Sequence, residues 1–234
     1  MFKLGALEVY NQVLETLGAR GASADKQTAI KNAVRFGLHH VWHYHPWTWR
    51  RRQFDITVTA STPYQFLPAD YESMACSEIS RQESTEDVQR SIMPLGDRDW
   101  WRFGPDGEAS GPPNYYRVTM KQVGSTNWYA LQVQPTPDQS YTLPDAEYYC
   151  AASTIGFTGS TGTIPAMPTE FFPTWVTASE WAASKALGRH RLGSILKKDM
   201  DEALVDAARR HDEMFPDGPP QGLEDTYGDS ALLR

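Results

Sequence analysis

Cysteine is scarce in this chain: Cys76 and Cys150 are the only two among 234 residues, and neither belongs to a CxxC pair. That excludes a disulfide framework and a cysteine-rich zinc knuckle as the basis of the fold. Reduced, buried thiols in a protein made in a reducing cytosol are the expectation. Long apolar runs are missing too, and nothing approaches the roughly 18 residues that span a bilayer. The opening Met1-Phe2-Lys3-Leu4-Gly5 leads into a pattern broken by Glu8, Asn11 and Gln12, which does not read as a signal peptide. Positive charge is in deficit, with 22 basic residues against 29 acidic ones and a net charge of −7. Broad, non-specific nucleic-acid binding needs a basic footprint and is disfavoured. Aromatic residues, by contrast, are plentiful: 8 Trp, 11 Tyr and 9 Phe, side chains that build cores and are enriched at interfaces.

The chain opens in helical period. Leu4, Leu7, Tyr10, Leu14 and Leu17 form one apolar stripe, and Gly18 is a natural stop. Ser23 or Asp25 can cap a second helix carrying Ala29, Ile30, Ala33, Val34, Leu38, Val41 and Trp42, which Pro46 ends. The period then changes to two: Phe54, Ile56 and Val58 alternate with polar residues. Further extended segments are expected at 75–80, 115–121, 128–134 and 141–151. Residues 81–114 are polar, bear Gly and Pro, and carry no clear period. A Gly/Thr/Pro stretch at 154–168 reads as a flexible loop. Helical period returns with Phe172, Trp175, Val176, Ala183 and Leu187, ended by Gly188, and then with Leu192, Ile195, Leu196, Leu204 and Ala207, ended by Pro216. Pairs at four-residue spacing (Lys197/Asp201, Lys198/Glu202, Arg209/Glu213) suit the outer face of the last helix. Residues 216–234 lack a period and read as an extended arm.

The fold class expected from this pattern is α+β: an antiparallel helical core of about four helices with an inserted β-rich domain and an extended C-terminal arm. The boundaries are 1–46 for an N-terminal helical hairpin, 47–153 for the β-rich insertion, 154–168 for the loop, 169–215 for the closing helices and 216–234 for the arm.

Chemistry-bearing motifs are thin. His39 and His43 stand four apart on a helix, a spacing that can place two imidazoles on one metal, but no carboxylate lies between them as in HExxH and no third ligand is indicated. Rings stacking or hydrogen bonding near Trp42 and Trp47 is the favoured role for the cluster His39, His40, His43 and His45. Trp47, Trp49, Arg50, Arg51 and Arg52 interleave aromatics with cations. They suit a helix-to-strand junction with Trp in the core and Arg paired to acids or to a partner protein, and more weakly a nucleic-acid platform. Gly156, Gly159 and Gly162 lack the Lys of a phosphate loop, and no nucleophile elbow marks a catalytic triad. No catalytic residue, metal site or cofactor is assigned.

The order of features is more specific than any motif. A helical hairpin runs into Pro46-Trp47-Thr48-Trp49-Arg50-Arg51, followed by Tyr64-Gln65-Phe66-Leu67-Pro68-Ala69-Asp70, Pro113-Asn114-Tyr115-Tyr116-Arg117-Val118, Leu131-Gln132-Val133-Gln134-Pro135-Thr136-Pro137-Asp138 and Tyr141-Thr142-Leu143. This succession resembles the head–tail adaptor, or connector, proteins of tailed bacteriophages, particularly the tail-tubular-like adaptors of short-tailed phages, over residues 1–215. The resemblance implies a non-enzymatic virion protein at the head–tail interface, made in the host cytoplasm. It implies a dodecameric ring under the portal protein that extends the DNA channel toward a tail-side nozzle or tail tube protein. DNA would pass without specific binding, and no membrane is involved. Family members often dock a C-terminal segment on the portal, a role that falls here to Leu223, Tyr227, Leu232 and Leu233. Trp47, Trp49, Arg50, Arg51 and Arg52 are the candidate subunit or partner contacts. Two other classes fit the composition: a non-viral β-domain binding module for a glycan or peptide, and a metal-dependent hydrolase built on His39 and His43.

Overall fold

A computed structural model describes residues 4–76, 78–83, 86–100 and 110–215. The described residues cluster into two compact units, one drawn from Met1–Trp49 and Ala152–Pro219, the other from Arg50–Ala151.

The first unit holds α1 (Ala6–Thr16), α2 (Ala24–Tyr44), α4 (Phe172–Ala186) and α5 (His190–Met214). Helix α4 packs against each of the other three. Its Phe172, Trp175, Val176, Ala178 and Ala183 are buried, as are Ile30, Ala33, Val34, Leu38 and Val41 of α2. The C-terminal ends of α1, α2 and α4 follow the local chemistry read from the sequence, whereas Ser23, at the N-cap of α2, makes no side-chain capping hydrogen bond. Gly18 and Gly188 both take positive φ, +54° and +69°, just past their helices. In each case the next residue's N–H reaches back to the last turn, Ala19 to Leu14 O and Arg189 to Ser184 O, both at 2.8 Å. Helix α2 stops at Tyr44, with His45 extended before Pro46. The start of α1 is satisfied from a distance: Ala6 and Leu7 donate their N–H groups to the carbonyls of Thr163 and Thr161, each at 2.9 Å. On α5, Lys197–Asp201 and Lys198–Glu202 pair as expected, while Arg209 joins Arg210 on Asp206 instead of taking Glu213.

The second unit is a sheet. Its strands are β1 (Arg51–Val58), β2 (Tyr64–Phe66), β3 (Tyr71–Met74), β4 (Ile79–Glu83), β5 (Glu86–Pro94), β6 (Tyr115–Val123), β7 (Thr126–Gln134) and β8 (Tyr141–Cys150), with a single helical turn, α3 (Asp97–Trp100), after β5. Seven strands hydrogen-bond in the order β1-β8-β4-β5-β6-β7-β2, and β3 pairs the far part of β8. All pairs are antiparallel except β5 with β6. The connection explains the curvature. Strands β1 and β2 stand at opposite ends of the path, yet only five residues join them. Flat, seven strands would set the ends about 29 Å apart, whereas the stretched link reaches about 22 Å. The sheet therefore curls until β1 and β2 approach one another, giving a nearly closed, barrel-like wall.

This corrects the fold expected from the sequence. The structure is sheet-rich, with a nearly closed barrel-like sheet and five helices among the described residues, and is not a helical core of about four helices bearing an inserted β-rich domain. The discrepancy has a physical origin. Strand β4 starts within the segment expected to be extended at 75–80 but runs on into the polar stretch that carries no clear period, and β5 lies wholly within that stretch. Ile79, Arg81 and Ile92 are buried there, while Arg90, Ser91 and Met93 face solvent. A strand whose inward set includes an arginine does not show alternation of apolar residues.

Candidate functional site

The junction singled out by sequence resolves into two sets of contacts, one in each unit. In the helical unit, His45, Trp47 and Trp49 follow α2 and gather with Phe171, His211 and Phe215. The Trp47 side chain is fully buried and its Nε1–H donates to Val41 O at 2.7 Å. Its ring lies 4.9 Å from Phe171 and 5.2 Å from His211. Trp49 meets Trp42 edge-on at 4.7 Å and stacks with Trp47 at 6.0 Å. These offset and edge-on contacts are the geometries aromatic quadrupoles favour, so the aromatic run is first a packing device.

His211 is the residue this cluster is built around, and it is fully buried. Its Nε2 accepts the Thr48 backbone N–H at 2.9 Å, with Thr48 Oγ1 at 3.0 Å. Its Nδ1 lies 3.3 Å from Asp212 Oδ1, and that same oxygen lies 2.9 Å from His45 Nε2. Burial holds the His211 imidazole below the ordinary histidine range, the Asp212 hydrogen bond opposes that shift, and His45 reinforces it. The sequence reading did not single out His211. The signal was there: Leu196, Met200, Leu204, Ala207 and His211 recur at intervals of three and four on the buried face of α5.

The remaining histidines are arranged differently. His39 and His43 stack on each other with ring centroids 5.8 Å apart. His40 stacks on Phe36 at 6.0 Å and leans against Trp181 at 5.7 Å, and burial lowers its pKa ahead of an opposing effect from Asp201. Among the described residues, the three potential ligands that lie together are His45, His211 and Asp212, all within 4.8 Å. The Thr48 contact argues against a metal there. A neutral imidazole that accepts at Nε2 carries its proton on Nδ1, the atom a metal would need.

In the sheet unit, the arginines of the junction diverge. Arg50 is buried, pairs with Glu72 at 2.8 Å and lies over the Tyr149 ring at 5.4 Å. Arg51 pairs with Glu147, and Arg52 is exposed. The motif residues are equally committed to the fold. Asp70 accepts the Tyr148 hydroxyl at 2.8 Å, and its carbonyl accepts the Ala151 N–H at 2.7 Å. Asp138 accepts the Tyr141 hydroxyl at 2.6 Å. Arg81, 1% exposed, donates to Pro113 O and Asn114 Oδ1 and lies over Tyr141 at 5.5 Å. It thus ties the Pro-Asn-Tyr-Tyr and Tyr-Thr-Leu segments together from a strand that the sequence pattern revealed only at its start. Large apolar side chains do face solvent around β6 and β7: Met120, Val123, Trp128 and Tyr129, with Phe66 on the neighbouring β2.

The portal-docking candidates Leu223, Tyr227, Leu232 and Leu233 lie outside the described residues. Among the described residues, no helix is long and apolar enough to cross a membrane. A sequence-family model described as SU10 adaptor protein matches residues 6–218. The chain belongs to the SU10 adaptor protein family. It is a phage adaptor protein and a virion component, in agreement with the head–tail adaptor resemblance carried by the order of its motifs. No curated protein sequence matches it. In this adaptor, the motif residues that carry the resemblance hold the sheet and the helical unit in shape.

Proposed function

We propose that this adaptor forms a ring beneath the portal protein, extends the DNA channel and joins it to a tail-side nozzle or tail tube protein. The family match over residues 6–218 carries this reading. Twelve subunits is the stoichiometry that the adaptor resemblance suggests. Residues 216–234, through Leu223, Tyr227, Leu232 and Leu233, are proposed to dock on the portal. The apolar residues Leu223, Tyr227, Leu232 and Leu233 in an otherwise polar segment are suited to anchor it on a partner surface. The net charge of −7 per chain supports the channel role, since a ring multiplies it and an acidic lumen repels the phosphate backbone of exiting DNA. Arg52 is the exposed cation of the junction and the first candidate for a contact with a neighbour.

Mixing the full chain with its cognate portal tests this directly. A larger stoichiometric complex by sedimentation, seen as a ring under the portal by electron microscopy, is expected. Deleting residues 216–234 is expected to weaken that complex. Failure of the intact chain to co-sediment with portal overturns the assignment.

A further inference from the structure

We propose that His211 and Thr48 form a proton-operated latch, which holds residues 45–49 against α5 while the imidazole is neutral and loosens them when it takes a second proton. This inference stands on the helical unit alone and does not depend on the adaptor reading.

The hydrogen bonds define the resting state. A backbone N–H can only donate, so the Thr48 N–H at 2.9 Å requires a lone pair on His211 Nε2. The ring proton then sits on Nδ1, where Asp212 Oδ1 receives it at 3.3 Å. His45 Nε2–H donates to the same oxygen at 2.9 Å, so one carboxylate joins two imidazoles. A second proton on His211 must go to Nε2, where it faces the Thr48 N–H head-on. The backbone bond is lost, and the acceptor within reach is Thr48 Oγ1, at 3.0 Å. Protonation thus exchanges a main-chain contact for a side-chain one.

The surroundings oppose that exchange at neutral pH. The charged and titratable groups acting on the ring are His45, at the end of α2, which disfavours the extra charge, and Asp212, on α5 itself, which favours it. Trp47, Phe171 and Phe215 supply only uncharged ring faces, at 5.2, 6.5 and 5.0 Å, and keep water away. The segment held by the latch immediately precedes Arg50, where the chain first crosses from the helical unit into the sheet unit.

Histidine-labelled full-length protein, followed by NMR from about pH 7.5 to about pH 5, tests the latch. The expected neutral form is the Nδ1–H tautomer of His211. The Thr48 amide protection factor, corrected for intrinsic exchange, is expected to fall about tenfold or more as His211 titrates, with the same midpoint, while Ala178 in α4 stays protected. In His211→Gln the side-chain amide offers an acceptor that does not titrate, and Thr48 protection is expected to lose its acid step. An Nε2–H tautomer at neutral pH, Thr48 protection unchanged through the His211 titration, or an acid step that survives in a folded H211Q protein overturns the proposal. Should H211Q not fold, the wild-type tautomer and exchange data decide it.

Discussion

A Cβ added to Gly37 of α2 would stand 2.5 Å from Ser179 Oγ of α4, 2.7 Å from its N and 2.9 Å from its Cα. Two of those atoms belong to backbone and cannot swing aside. Gly37→Ala is therefore expected to push the helices apart, at about 2 kcal/mol of stability and a Tm lower by about 4–8 °C. Thermal unfolding followed by circular dichroism checks this. An unchanged Tm would mean that α2 and α4 sit farther apart than described.

Removing the Arg81 guanidinium leaves Pro113 O and Asn114 short of a donor inside the sheet unit. Arg81→Met is expected to destabilise by about 1–3 kcal/mol, because the Pro113 carbonyl it abandons stays buried while Asn114 can turn to solvent. Arg81→Lys keeps the charge but loses the fork and the stacking on Tyr141, and should fall between the two. Urea unfolding gives the comparison.

Stability is expected to depend on mildly acidic pH. The folded-state pKa values of His40 and His211 are both lowered, chiefly by burial. The unfolded chain therefore binds protons first. Stability is full above the ordinary histidine value of about 6.5 and is lost progressively as pH falls from there through the folded-state values. Tm measured from about pH 7.5 down to about pH 5 should decline, and His40→Gln should remove part of the slope. A flat profile across that window would contradict the burial of both rings.

The two thiols are expected to be sluggish. Burial pushes the pKa of both Cys76 and Cys150 upward, so little thiolate exists near neutrality. A chromogenic disulfide reagent should react slowly with native protein at about pH 7.5 and rapidly with two thiols in denaturant. Immediate reaction of the native protein would show that the sites open freely.

Partner contact and folding separate along the junction. Trp47→Ala empties a fully buried site and is expected to destabilise the helical unit by about 3–5 kcal/mol. Arg52→Glu changes an exposed side chain and should weaken co-sedimentation with portal or self-assembly while the chain still folds. Equal binding by the Arg52 variant would remove that residue from the contact set.

The sequence showed what is locally encoded. Gly18, Pro46 and Gly188 marked helix ends because their backbone restrictions act within a few residues. Strands β1, β6, β7 and β8 were legible because apolar residues recur along them. Strand β4 was legible only at its start, within 75–80, and β5 was not, since Arg81 occupies an inward position as a hydrogen-bonding hub. Closure of the sheet was also hidden: it follows from which strands pair, and β1 finds β8 rather than its neighbour in sequence. Within the candidate site, the aromatic packing of Trp47 and Trp49 was expected, but His211 was missed, because its partner Thr48 lies 163 positions away.

The position of β8 has a consequence for biosynthesis. This last strand bonds to β1, β3 and β4, so the wall stays open along that seam until residues 141–150 have left the ribosome. The helical unit waits longer still, because α4, against which α1, α2 and α5 pack, is made after it. Neither unit can complete itself on a nascent chain that stops at β7. Such long-range pairing slows folding and prolongs the exposure of unpaired strand edges. For this chain, assembly into native form waits on residues 141–214, and a truncation before residue 141 should yield aggregate rather than a smaller adaptor.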